Sequence, residues 1–349
     1  MTVAAPSLRG RRVVFRADAS HALGFGHVAR LWALIEEVQS AGGDPVLMFG
    51  GDAPAVMSWA RDRNLEVDAQ DWSPEQVARA AEEMHAAAVV IDGPMIADQL
   101  APKLKDRGVR TVVVDDQGKC PLQVDAVVNH NFHALSLAHT YPCAKKKLLG
   151  RHYLMLRREI KRFTRGSCRP MASARLRLLI TFGGSDPVGA TARVISLLPE
   201  DRPLELVVIA GPGFRDDDAL RIAVGHACLA GHTVDVRRSP DDPGGLFVSA
   251  DAALCSAGGT LGELAYLGVP ALAWAIARDQ VVPAREQVRK GMISGGRKWT
   301  DCDDDTIRAD LVRFLLDDAG RAQQRLRALG TADSDGANRV LHAALLGTV

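Results

Sequence analysis

Short apolar runs, rich in β-branched residues, recur along this chain, and each ends in polar or glycine-rich residues. "RRVVFRAD" (11–18), "PVLMFGG" (45–51), "AAAVVIDG" (86–93), "GVRTVVVDDQG" (108–118) and "VDAVVNHN" (124–131) read as five buried strands. Helical stretches separate the first four. In the first of these, Val28, Leu31, Leu34, Ile35 and Val38 follow a helical period until Gly42-Gly43 stops it. Strands this uniformly apolar are buried on both faces, as in a parallel doubly wound sheet. The pattern restarts near residue 175. "RLRLLITFGGSDP" (175–187), "LELVVIAGPG" (204–213), "HTVDVRR" (232–238), "AALCSAGGT" (252–260) and "PALAWAIA" (270–277) give five more. Between the halves lies the polar, basic "RREIKRFTRGSCRPMASA" (157–174), so the linker is placed at 161–174. The expected fold class is α/β: two tandem Rossmann-like domains, 1–160 and 175–349, with a ligand crevice between them at the carboxyl ends of both sheets.

Length and composition agree. A chain of 349 residues exceeds one hydrophobic core of ordinary size. At 47% hydrophobic and 24% charged, it has the balance of a soluble globular protein. The net charge of +1 gives no global field to recruit nucleic acid or a membrane surface. No apolar run approaches 18 residues, and the N-terminus lacks the order of a signal peptide. Six scattered cysteines with no C-x-x-C pair favour reduced thiols, hence a cytoplasmic protein, over disulfides or zinc.

Three glycine-rich turns each follow a strand and open a helix, a setting that favours anions. The first, "GFGH" (24–27), fits the dinucleotide fingerprint only in its relaxed form, with Ala29 at the third position. The second strand carries no acidic residue at its end, which argues against NAD. His27 is either a helix-start residue bonded to backbone or a base aimed at the crevice. Its ordinary pKa near 6.5 suits proton abstraction, and a helix N-terminus tends to keep it neutral. In the second turn, "FGGSDP" (182–187), Asp186 before Pro187 looks like an N-cap, leaving Gly183, Gly184 and Ser185 to a phosphate or sugar. The third opens "SAGGTLGELAYLGVPAL" (256–272). There Thr260 and Glu263 have capping-box spacing, and the alternative is a phosphate on the turn with a ribose on Glu263.

With these residues in place, the chain resembles the UDP-sugar hydrolases of the pseudaminic acid pathway and the similar spore-coat polysaccharide proteins. The resemblance rests on "FRADASHALGFGHVARLWAL", "VVVDDQGKCPLQVDAVVNHNFHA", "LLGRHYLMLRREI", "ITFGGSDPVGAT", "SAGGTLGELAYLGVPAL" and "DGANRV", in order from about residue 12 to 340. It implies the GT-B architecture and makes His27 the catalytic base. It puts Asp18, Gly24, Gly26, Arg30, Asn131 and Tyr153 on the sugar or acceptor side. Nucleotide contacts fall on Gly183, Gly184, Ser185, Ser256, Gly258, Gly259, Thr260 and Glu263. The implied substrate is a nucleotide sugar, most simply a UDP-sugar, with no cofactor and no metal.

The implied reaction is displacement at an anomeric carbon, in which water releases a free amino- or deoxysugar for nonulosonic acid or surface glycan synthesis. A metal-independent inverting glycosyltransferase and a non-catalytic nucleotide-sugar-binding protein are the alternatives. One departure bears on this choice. Where those hydrolases commonly carry histidine and tyrosine after the strand ending at Asp92, this chain has "IDGPMI". That changes the sugar pocket and tilts slightly toward transfer. Asp115-Asp116 and Asp303-Asp304-Asp305 are expected to be solvated or strand-end residues. The histidines of "NHNFH" (129–133) make a weak metal candidate.

Overall fold

A computed structural model describes residues 7–18, 26–50, 57, 60, 65–120, 122–168 and 175–347, without the side chains of 94 and 95. It divides into two compact units. The first comprises Met1–Arg158 and Ser334–Val349, and the second Glu159–Asp333.

The first unit is built on seven parallel strands: β1 Arg12–Asp18, β2 Asp44–Gly50, β3 Glu66–Ala69, β4 Ala88–Asp92, β5 Thr111–Val114, β6 Ala126–Asn129 and β7 Lys146–Leu149. Their order is β3-β2-β1-β4-β5-β6-β7. Side chains alternate between two apolar faces, as strand geometry requires. Val13, Phe15 and Ala17 of β1 pack with Leu31, Leu34, Ile35 and Val38 of helix α1 (Gly26–Ser40). Val14 of β1 joins Val46, Met48, Val89 and Ile91 on the other face. There it meets Val77 and Ala81 of α2 (Pro74–Glu83) and Leu100 and Leu104 of α3 (Pro94–Asp106).

The second unit repeats the plan with six parallel strands: β8 Arg177–Thr181, β9 Glu205–Ala210, β10 Thr233–Arg238, β11 Ala252–Ser256, β12 Ala271–Ala275 and β13 Ser294–Lys298. Their order is β10-β9-β8-β11-β12-β13. Strand order therefore reverses between β1 and β4 in one sheet and between β8 and β11 in the other. These are the points where doubly wound sheets open a ligand crevice. Two short helices used below are α4 (Ala190–Ser196) and α5 (Thr260–Leu267).

The chain's end corrects the expected second domain over 175–349. Helix α6 (Gly336–Val340) and the turn after it return to the first unit. Ala337, Val340, Leu341, Ala344 and Leu345 lie in the core with α1. Gly336 sits where any Cβ would fall 2.1 Å from the Leu154 carbonyl oxygen. Apolar residues at 340, 341, 344 and 345 have the helical spacing of a buried stripe, and the first unit is where they find a matching face.

Candidate active site

The first unit gathers its charged residues at the switch point. His27 stands in the first turn of α1, the first described helix after β1. Asp92 is the last residue of β4, the neighbour of β1, and its Cα pairs with that of Ala17. The side chain of Asp92 is fully buried, whereas that of His27 is 31% exposed. His27 Nδ1 lies 2.6 Å from Asp92 Oδ1 and 3.1 Å from Arg30 Nη2. A lone pair on Nδ1 would face the carboxylate at that distance, so Nδ1 carries the proton and donates it to Asp92. The neutral ring then keeps its lone pair on Nε2, the tautomer a base needs.

Arg30, one helical turn after His27, locks this pair. Its Nε and Nη2 grip both oxygens of Asp92, and its Nη1 reaches Asp116 Oδ2. The other oxygen of Asp116 accepts from Asn131 Nδ2 at 2.6 Å. Asn131 in turn donates from both its backbone N and Nδ2 to Asn129 Oδ1, each at 3.1 Å. Asn129 Nδ2 donates to the Tyr141 hydroxyl, which donates to the Asp115 carbonyl. The Asp115 carboxylate closes its own loop by accepting from the backbone N of Gln117 at 2.8 Å and of Lys119 at 2.6 Å. A continuous polar network thus runs along the carboxyl ends of β4, β5 and β6.

The charges set one another. The Asp92 carboxylate raises the pKa of His27 against the opposing effect of burial. This reverses the direction expected from the helix N-terminus alone. Burial opposes ionisation of Asp92, but Arg30 and then His27 hold its carboxyl below the usual range. Asp116 is likewise held down to about 2, with Arg30 and His130 outweighing burial. Both carboxylates are therefore ionised near neutrality. Burial pushes His130 down to about 4, so that ring is neutral there.

Other expected residues fare differently. Gly24 lies outside the described residues. Gly26 begins α1, and a Cβ there would meet no described atom within 4 Å. Asp18 ends β1, ion-paired with Arg16 at 2.6 Å. Tyr153 packs against the apolar core and, edge-on, against His152, with ring centroids 5.2 Å apart. Arg30 was expected on the sugar; its guanidinium is instead engaged by two carboxylates of its own chain. Asp115 and Asp116 are not solvated: the first is buried and the second tied to Arg30 and Asn131. Asp92 and Asp116 are members of this network to which the sequence reading gave no role at the site. The signal was a carboxylate at the end of an otherwise apolar central strand (Asp92) or just beyond one (Asp116), where an unpaired charge would be costly. Gly93 follows Asp92 at φ +127, a backbone region closed to other residues, and Pro94 then starts α3.

In the second unit, the carboxyl ends of β8 and β11 bring two expected turns together, with Thr181 paired to Cys255. A Cβ on Gly183 would lie 3.9 Å from Ser256 Oγ. The loop after β9 seals this turn from behind. Gly213 N donates to the Gly184 carbonyl at 2.8 Å, and a Cβ on Gly211 would come within 2.5 Å of Gly184 Cα. Ser185 Oγ is buried and meets no partner among the described residues. Asp186 caps a helix, but not in the expected register. Its carboxylate accepts from the backbone N of Ala190 (2.9 Å) and Thr191 (2.7 Å), and α4 starts only at Ala190. The Thr260–Glu263 capping box does not form. The cap position of α5 is Gly259, which has no side chain, and Thr260 is already helical. That helix end keeps its amide groups clear of any side-chain cap. Gly258 lies beside Gln280, and Glu263 is buried in the first turn.

Among the described residues, no cluster of three or more His, Cys, Asp or Glu could hold a metal ion, and no helix is long and apolar enough to cross a membrane.

No protein-family model matches the chain. An uncharacterized protein of Methanocaldococcus jannaschii is 23% identical over 265 residues, 74% of this chain. The match covers 54% of that relative, so the chain spans about half the relative's length. Solved structures align over nearly the whole chain. MurG of Acinetobacter baumannii matches with a TM-score of 0.66 at 16% identity, covering 96% of this chain and 99% of that one. MnaA of S. aureus, solved with UDP, matches at 0.64 and 10% identity, covering 95% of each chain. The spinosyn rhamnosyltransferase SpnG, solved with spinosyn aglycone, matches at 0.59 and 15% identity, covering 95% of this chain and 99% of that one. Two parallel-sheet Rossmann-like domains, aligned along such lengths, give this protein the GT-B fold.

Proposed function

We propose that this protein hydrolyses a nucleotide-activated sugar, most simply a UDP-sugar, at its anomeric carbon. The observation that carries the reading is the His27–Asp92 pair, a half-exposed imidazole whose tautomer is fixed by a buried carboxylate. In the proposed step, Nε2 of His27 takes a proton from water as the water oxygen bonds to the anomeric carbon. The bond from that carbon to the phosphate oxygen breaks, and its electron pair leaves on the nucleoside diphosphate. The carbon inverts. Asp92 stabilises the imidazolium that forms, and Arg30 keeps Asp92 ionised and oriented. Arg30 is thus a positioning residue.

The reading assigns the nucleotide to the second unit. Its support is the Gly183–Ser185 turn beside Ser256, the unpartnered Ser185 hydroxyl and the uncapped start of α5. Asp186 already occupies the amide groups at the start of α4, so that helix end is not available to a phosphate. UDP is favoured by the sequence resemblance and by its presence in the MnaA structure.

Transfer to an acceptor is the second reading, and one observation favours it. A cavity of about 230 Å³ on the first unit is lined by Arg16, Trp72, Val77, Ile96 and Leu100. Ile96 belongs to the α3 turn that follows Asp92, where the sequence departs from the hydrolases. Mass spectrometry of a panel of UDP-sugars incubated without acceptor separates the two. Release of UDP with free sugar supports hydrolysis. A donor that binds yet stays intact moves the assignment to transfer, and a panel in which nothing binds overturns both.

A further inference from the structure

Arg151 carries a charge that the described residues do not neutralise. It opens the turn Arg151–Tyr153 at the carboxyl end of β7. Gly150 N donates to the Asn129 carbonyl at 2.8 Å, which ties this turn to the end of β6, where His130 and Phe132 follow. The guanidinium lies over the Phe132 ring, 4.6 Å from its centroid. Its Nε and Nη2 are buried and meet no acceptor. Burial disfavours the charge, and no acidic side chain among the described residues offsets it. Beside it, Nδ1 of the buried His130 also lacks a partner, and Arg151 is among the charges that His130 feels. The nearby carboxylates are committed elsewhere, Asp92 to His27 and Arg30 and Asp116 to Arg30 and Asn131.

The two unmatched nitrogens form one edge of the guanidinium, the edge that Arg30 turns on Asp92. Such an edge offers two parallel N–H groups to a carboxylate or phosphate. We propose that Arg151, with His130 beside it, binds an anionic group, a carboxylate or a phosphate, carried by the sugar or the acceptor. The proposal rests on the nucleotide-sugar reading and adds the charge of the substrate. Both nitrogens are buried, so an incoming anion takes them by a rotation of the long arginine side chain.

Calorimetric titration of the full chain with UDP, UDP-glucose and UDP-glucuronate tests the donor. Free glucose, glucuronate and glucose 6-phosphate at matched ionic strength test the acceptor and separate carboxylate from phosphate. Parent, Arg151→Gln and Arg151→Lys are compared. The parent is expected to bind at least one charged ligand about 10- to 100-fold tighter than its neutral counterpart. Arg151→Gln should abolish that preference and leave the affinity for UDP itself unchanged; Arg151→Lys should restore part of it. Arg151→Gln should also melt no lower than the parent, because it removes an unmatched charge. A purely structural arginine would lower the melting point and leave ligand preference alone. Equal affinity of the parent for charged and neutral ligands overturns the proposal. So does a loss of UDP affinity in Arg151→Gln, which would put the diphosphate on Arg151. If UDP binds no form of the protein, the nucleotide-sugar reading fails, and the free-sugar titrations decide Arg151 independently.

Discussion

At the scale of single residues, His27 and Asp92 make different forecasts. His27→Asn removes the base and should lower kcat by about 10²–10⁴-fold with donor affinity nearly kept. Only the neutral imidazole accepts a proton, so the parent rate should rise with pH through the His27 ionisation. Asp92 raises that ionisation, so the limb should lie above 6.5. The same shift has a consequence for stability. A histidine whose folded pKa is raised contributes stability that is complete below its unfolded pKa and is lost as pH rises through the folded one. The melting-point gap between parent and His27→Asn should therefore narrow on going from mildly acidic to alkaline buffer. Asp92→Asn should move the rate limb to lower pH, since the anion that raises it is gone. It should also cost about 3–5 kcal/mol of stability, because it strips Arg30 of a buried partner. A pH–rate profile unchanged in Asp92→Asn would dissociate the two residues. Little of this pairing was legible in the sequence. His27 stood out in a glycine turn, but its partner lies 65 positions away, and only the parallel register of β1 and β4 joins them.

At the scale of elements, the ten runs all became strands; nine are central and apolar because both faces are buried, while the tenth, β10, is an edge strand with alternating Val234 and Val236. The three strands that sequence did not suggest are β3, β7 and β13, and each lies at a sheet edge. Their sequences are EVDA, KKLL and SGGRK. Edges tolerate, and even favour, charge and glycine, so no apolar run announces them. Helix starts were legible in chemistry and not in register. Asp186 was recognisable as a cap, yet it adopts a left-handed φ of +43 and caps a helix that begins four residues on. Its carboxylate is buried and holds two amide groups, so Asp186→Ala should destabilise the second unit by about 1–2 kcal/mol. The His27 pH limb should stay where it is. Chemical denaturation alongside the pH–rate profile checks both. A shifted limb would mean that Asp186 serves more than a helix end.

At the scale of the whole molecule, the repeated plan was legible because the apolar pattern restarts after a polar, basic stretch. The return of the C-terminus was not, because a stripe at 340, 341, 344 and 345 fits either sheet equally well on paper. Removing residues 334–349 tests which unit depends on it. Val340, Leu341 and Leu345 are almost fully buried against the first unit. At roughly 1.5–3 kcal/mol for each large apolar side chain, their loss amounts to about 5 kcal/mol or more. That is comparable with the whole stability margin of an ordinary domain. Two backbone anchors go with them, the Ala344 carbonyl held by Arg110 at 3.1 Å and the Ala343 carbonyl held by Lys146 at 3.0 Å. The second unit keeps every residue of its core. Calorimetry of the truncated chain should therefore show the first unit's transition lowered or lost and the second unit's retained. UDP affinity should survive, since 183–185 and 256–263 lie wholly in the surviving unit, while turnover disappears with the His27–Asp92 pair. If UDP binding is lost while the second unit still melts as in the parent, the nucleotide needs residues of the first unit. The assignment of the nucleotide to the second unit's turns then fails, even if the chemistry at His27 stands.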